Sequence, residues 1–361
     1  MLYRNCIILF IVSLLISVSS AQQQTIAPLV AKQLLQEVGL GQAWQTKLAV
    51  KDGESLATLT LLGDKLYALT STNYLFCLTK DNGNLAFGMQ LAPNGFPVLE
   101  LRRYENNVLA VAGNRLVQID ASLGTITRTE KFDYTVMSPI VRNDLYFYAA
   151  GMDHRVHAIG IAANAFLFEA AAANESMPTT ILATNDNVVF ATDKGNVVCV
   201  SATGPTRVWQ FDATDKITAP IVQDNNDLYA ASWDTKIYKL KAASGRQIWD
   251  CQLGGMLKQS PQVTRDAVYQ YVAGKGVTAI DKENGKPLWT VEDGVGLLAQ
   301  INGKAFLMTS NCTTAVVDIA SHKRLYTINL AQISLHASNT VDGKIYVADH
   351  AGRVACIAAA K

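Results

Sequence analysis

The sequence predicts an all-β fold, an eight-bladed β-propeller of four-stranded antiparallel blades closed by its own N-terminal strand. Three observations predict it: an internal period, an aromatic that returns at a fixed offset, and a last copy that lacks its final strand. The period is roughly forty residues and runs eight times. Its clearest copies read ITAPIVQDNNDLYAASWDTKIYKLKAASGRQIW from Ile217 to Trp249 and QSPQVTRDAVYQYVAGKGVTAIDKENGKPLW from Gln259 to Trp289. Periods of this size mean solenoid, propeller or array architecture.

Each copy begins with a strand at an Ile/Val-Val pair, as in Ile140-Val141 and Ile221-Val222. An apolar-aromatic pair marks the second strand: Leu66-Tyr67, Leu145-Tyr146, Leu228-Tyr229, Val268-Tyr269, Ala305-Phe306 and Ile345-Tyr346, with Val108-Leu109 and Val188-Val189 in the other two copies. The third strand ends at Leu78, Ile119, Ile159, Val200, Leu240, Ile280, Val317 or Ile357. Alternation within short runs bounded by Gly, Asn and Asp is the strand signature. Nine residues further on stand Phe87, Arg128, Phe168, Trp209, Trp249, Trp289 and Tyr326, so six of these seven fourth-strand positions are aromatic. Gly83, Gly124, Gly245 and Gly285 each follow the third-strand mark by five, where a turn needs positive φ. Asp120 and Asp281 precede such turns and can accept from their amides. The eighth copy stops four residues after Ile357, and the spare aromatic strand is QAWQTKL around Trp44. Placing that strand in the eighth sheet completes the ring, which leaves only short, protected edges.

The N-terminus reads as a separate object. Arg4 is followed by an apolar run from Cys6 to Val18 and by Ser19-Ser20-Ala21, a secretory signal pattern over residues 1–21. The run is short for a membrane span. The protein is therefore expected to be exported, and without a cysteine at the cleavage point it is not expected to be lipidated. Residues 22–43 form an extension with a short helix over Pro28 to Val38, and 44–361 form the propeller. The 31 Lys and Arg balance 30 Asp and Glu, which argues against a nucleic-acid partner. Cys77, Cys199 and Cys356 share one repeat position with Ala158 and Ala279, so they are expected to act as small core residues.

Units ending in IDKENGKPLW, LKAASGRQIW and VSATGPTRVW resemble the PQQ-like propeller repeat over about Trp44 to Ile357. With eight blades and an export signal, the chain most resembles the BamB family. That resemblance implies a non-catalytic periplasmic scaffold of the outer-membrane β-barrel assembly machinery, with the barrel-forming subunit as partner. It also implies membrane association through partners only. The family's partner contacts fall in loops entering the fourth and fifth blades. Here the first reads EAAAANESMP, without Leu or Arg, and the second reads DATDKITAP, so Asp212 and Asp215 are the positions that carry over.

Candidate partner-binding residues are therefore Asp212, Asp215 and Lys216, joined by Arg155 and Trp233 on turns between second and third strands. Loops on a rigid scaffold concentrate binding, and Trp and Arg are enriched at hot spots. The alternative for Trp233 is packing on a neighbouring blade. The histidine cluster Asp153-His154-Arg155-Val156-His157 reads as a solvated turn, because strand residues three apart point to opposite faces. No P-loop, GxSxG elbow or HExxH motif occurs, and no catalytic, cofactor or metal residue is expected. The competing readings are a PQQ-dependent quinoprotein dehydrogenase and a sensor or adhesion propeller. The chain is expected to be a monomer.

Overall fold

The fourth strand of the last blade comes from the other end of the chain. In this computed structural model, which describes residues 27–162, 165–330 and 332–360, Leu40–Lys47 pairs antiparallel with Arg353–Ala359, from Leu40 opposite Ala359 to Lys47 opposite Arg353. The other seven blades are consecutive meanders at 56–90, 102–131, 141–170, 178–212, 222–252, 262–291 and 294–329. The predicted eight-bladed ring, its closure at Trp44 and its short N-terminal helix are all present. The secretory segment 1–21 lies outside the described residues.

The closing strand copies its sister strands in detail. Each pairing of third and fourth strands carries one register shift beside the fourth-strand aromatic, or beside Arg128 in blade 2, as at Cys199/Val200 opposite Trp209 and Lys239/Leu240 opposite Trp249. The closing strand shifts between Gln42 and Trp44. A bulge of this kind re-aims a side chain, and here it turns the aromatic toward the next blade.

That aromatic is the clasp of the ring. Trp44, Trp209 and Trp249 each donate from indole Nε1 to a carbonyl of the following blade: Lys80 at 2.9 Å, Ala242 at 2.9 Å and Lys282 at 3.1 Å. Each ring lies on the turn glycine three residues beyond that carbonyl, at Gly83, Gly245 and Gly285, with φ of 70°, 66° and 73°. A Cβ at any of these glycines would collide with the indole. Glycine is thus needed twice, for its φ and for the close approach. Burying an indole contributes on the order of 5 kcal/mol at roughly 25 cal/mol per Å2, against about 1 kcal/mol for its hydrogen bond. Packing therefore supplies most of the clasp and the N–H sets its direction.

Arg128, the exception in the aromatic series, keeps the donor. Its Nη1 donates 2.7 Å to Ile161 O, the corresponding carbonyl of blade 3, while its guanidinium lies 5.4 Å from the Phe147 ring.

The core is a ring of shared clusters, each joining consecutive blades. Trp44 packs with Leu56, Leu66 and Phe76 of blade 1, and Tyr148 of blade 3 with Ile181, Val188 and Phe190 of blade 4. Cys77, Cys199 and Cys356 are buried and unpaired in these clusters, and burial pushes their thiols up to about 11, 11 and 12. Asp120 and Asp281 accept from the turn amides as their positions suggested.

Two details differ from the sequence reading. In blade 3 the second-strand mark is Phe147-Tyr148, with Tyr148 fully buried, while Leu145 is 59% exposed. The Asn143 carboxamide accepts from the amides of Leu145 and Tyr146, so Leu145 lies in the turn and Tyr146, opposite Gly160, only opens the strand. The helix spans Lys32–Glu37, shorter than Pro28 to Val38. The chain bends at Leu29 and Val30 before it, with Leu29 N donating to Gln45 Oε1, and Leu29, Val30 and Leu35 pack against Phe306, Val316 and Ile328 of blade 7. No helix among the described residues is long and apolar enough to cross a membrane.

Candidate binding face

Antiparallel meanders place the turns between second and third strands on one face, with the connections from each fourth strand to the next blade. Trp233 sits in the blade 5 turn, half-buried on the connection from blade 4. Its Nε1 donates 2.9 Å to Thr218 Oγ1, and its amide donates 2.9 Å to Lys216 O. Two ammonium groups lie over the indole, Lys216 Nζ at 4.3 Å and Lys258 Nζ at 4.4 Å from the ring centroid. Neither lysine has a carboxylate partner within 4.0 Å among the described residues. Asp234 pins the two loops together, its Oδ2 accepting from Thr214 N, Thr214 Oγ1 and Tyr238 OH.

The sequence-derived residues divide between two places. Asp215 and Lys216 meet Trp233, with the Asp215 carbonyl accepting from Ser232 Oγ at 2.8 Å. Asp212 is exposed beside them at the end of the blade 4 fourth strand, where its Oδ1 accepts from Asn196 and Gln210. Arg155 is two blades away around the ring, its Nε 3.3 Å from Glu169 Oε2. Lys258 was missed, because its ammonium reaches Trp233 from a third loop, in the connection to blade 6. Soft apolar side chains on the same face extend the surface: Met137, Met152, Met256 and Phe96 are all exposed.

Blade 3 corrects the reading of the histidine cluster. His154 does occupy the turn, at φ 68° with its Nδ1 2.6 Å from Glu175 O. His157 instead lies on the strand Val156–Gly160 and is 4% exposed. Its Nε2 is 3.0 Å from Asp153 and its Nδ1 3.9 Å from Glu169 Oε1. One ligand atom from each of the three residues fits within 4.8 Å of the others. The ring stacks on Tyr134, with 4.4 Å between centroids, and meets the edge of Phe166 at 5.3 Å.

The family model for outer membrane protein assembly factor BamB matches residues 193–361. The crystal structure of BamB from Moraxella catarrhalis superposes with a TM-score of 0.66 and 14% identity, over 88% of this chain and 99% of that one. The chain is an eight-bladed β-propeller that resembles BamB, most directly over residues 193–361. The fold is also shared by the computationally designed protein Ika8 (TM-score 0.68, 13% identity, 88% and 99% of the two chains). The C-terminal WD40 domain of Sif2 matches likewise (TM-score 0.66, 13% identity, 89% and 99%). At these identities the likeness is one of fold. An uncharacterised protein of Rickettsia conorii is 24% identical over 256 residues, 62% of this chain and 59% of that protein. The match thus spans about three fifths of that relative's length.

Proposed function

We propose that this propeller is a non-catalytic, exported scaffold that supports outer-membrane β-barrel assembly. It docks the barrel-forming subunit on the face around Trp233. The observation that carries this reading is the pre-ordered indole under two lysines without carboxylate partners. A half-buried aromatic fixed by its own N–H loses little entropy on binding, and the ammonium groups favour an acidic partner segment. Asp212 and Asp215 form the polar rim, and the exposed methionines adapt to the partner's shape. Export through residues 1–21, a periplasmic location and a monomeric scaffold belong to the same proposal.

The quinoprotein alternative needs an indole to floor the cofactor. Of the five Trp, four stand on fourth strands and Trp233 rests on the blade 4 connection. The residues present do not fit that role.

Pull-down from envelope extracts tests the proposal. The wild-type chain is expected to recover the barrel-forming subunit. Trp233→Ala should weaken recovery at least tenfold, about 1.4 kcal/mol, without lowering the melting temperature. Repeated failure to recover that subunit would overturn the assembly role. Quinone-dependent dye reduction after PQQ reconstitution would overturn the non-catalytic one.

A further inference from the structure

We propose that blade 3 binds a divalent transition-metal ion between His157 Nδ1 and Glu169 Oε1, with Asp153 fixing the imidazole from its other side. The site is a local departure from the repeat. At the end of the second strand, five of the seven sister blades carry Thr70, Thr192, Ser232, Thr309 or Asp349, whose side-chain oxygens accept a backbone N–H two to four residues on, and the other two carry Ala112 and Val272. Blade 3 has Gly151 there. A Cβ at Gly151 would overlap Asp153 Oδ1 and lie 2.8 Å from His157 Nε2. The glycine therefore clears the space in which Asp153 meets the imidazole.

Two buried polar atoms are left without partners at this spot. Among the described residues His157 Nδ1 and Tyr134 OH find no hydrogen bond, and an unsatisfied buried group is costly. Asp153 accepts from Nε2 at 3.0 Å, which puts the ring proton on Nε2 and leaves the Nδ1 lone pair facing Glu169.

The 3.9 Å between Nδ1 and Oε1 is too long for a hydrogen bond. Tetrahedral ligands at about 2.1 Å from an ion stand roughly 3.4 Å apart, so a closure of about 0.5 Å, by rotation of the Glu169 carboxylate, lets the pair share a cation. A carboxylate holding the far nitrogen of a metal-bound imidazole is the usual outer-shell arrangement. His157 and Glu169 are directly paired across neighbouring strands, which fixes their spacing. Arg155 holds the other oxygen of Glu169 at 3.3 Å. Two carboxylates against one guanidinium leave net negative charge for a cation to neutralise. An imidazole with a carboxylate favours ions such as Zn2+, Co2+ or Ni2+ over Mg2+ or Ca2+.

Co2+ titration of the metal-free chain, followed by visible absorption and by melting temperature, tests the site. One saturable equivalent is expected, displaced by Zn2+ and abolished by Glu169→Gln and by His157→Gln. His154→Gln should leave it unchanged. Asp153→Asn should weaken it roughly tenfold to a hundredfold, as loss of an outer-shell partner does. In the metal-free protein, 15N NMR should find the His157 ring proton on Nε2, a readout that is independent of whether variants fold. Absence of saturable binding, or binding that survives Glu169→Gln, would overturn the proposal. So would a ring proton found on Nδ1, which would leave that nitrogen no lone pair for the ion. An Asp153→Asn loss as complete as that of Glu169→Gln would place any ion on the Nε2 side and reject this arrangement.

Discussion

At the residue scale, one turn position controls how tightly neighbouring blades close. Gly285 has φ 73°, and a Cβ there would stand 2.7 Å from Trp249 Cδ2. Gly285→Ala combines left-handed strain with a clash against a packed ring. The expected loss is on the order of 3 kcal/mol, measured by urea denaturation; an unchanged midpoint would show that the indole does not constrain the turn. Blade 7 supplies the reverse experiment. His322 occupies the equivalent turn at φ 60°, and a cavity of about 360 Å3 opens there among Trp289, Val317, His322 and Arg324. Trp289 Nε1 finds no hydrogen-bond partner among the described residues, unlike Trp209 and Trp249. His322→Gly removes both the strain and the Cβ that holds the seam open. A gain of about 1 kcal/mol is expected, with Trp289 fluorescence shifting to the blue as the ring becomes buried. These turns were legible from the sequence as glycines needing positive φ. The second demand, the neighbouring indole, was not legible, because the ring belongs to the previous blade.

At the element scale, the repeat is read correctly wherever the side chain that marks a strand also packs in its core. Tyr67, Tyr229, Tyr269 and Tyr346 are all fully buried at their marked positions. Blade 3 breaks that agreement because Leu145-Tyr146 mimics the pair while Asn143 holds Leu145 in the turn and Tyr146 at the very start of the strand. Periodicity registers an apolar pair and is blind to the side-chain amide that captures the backbone first. Arg128 is the opposite case, in which the chemistry changes and the element's job does not. Arg128→Ala removes a charge-assisted bond to Ile161 O and the contact with Phe147, for an expected cost of about 2 kcal/mol. Arg128→Trp should recover most of that stability by restoring the indole donor found in three sister blades. Equal destabilisation by both substitutions would mean that the guanidinium serves another purpose, such as its 2.7 Å pair with Glu130.

At the scale of the whole molecule, shape and task are encoded differently. The ring follows from what all eight copies share, so a single sequence displays it. The candidate binding face follows from what single copies do not share. Trp233, Lys216 and Lys258 come from three connections, and His157 is buried by Tyr134, which enters from the link between blades 2 and 3. No period announces such meetings. Closure lies between these extremes, since it was inferred from a missing strand and is testable as such. Ala360 N donates 3.0 Å to Gly39 O, so the end of the eighth blade's third strand lies against the start of its fourth. In the other blades a short turn makes that join, as between Asp281 and Pro287 in blade 6. A permuted chain beginning near Lys51, with residues 40–49 attached after Ala360 through a glycine-containing turn, keeps every strand pairing. It gives up the packing of Leu29, Val30 and Leu35 against blade 7. Circular dichroism is expected to show the same β-sheet signal and a cooperative melt only a few degrees lower. Omitting the appended segment leaves Arg353–Ala359 as an open edge and exposes the pocket that Trp44 fills with Leu56 and Phe76. That chain should melt far lower and aggregate, because an unpaired strand and a vacated aromatic site face solvent together. Equal melting with and without the segment would mean that the ring does not depend on its N-terminal clasp.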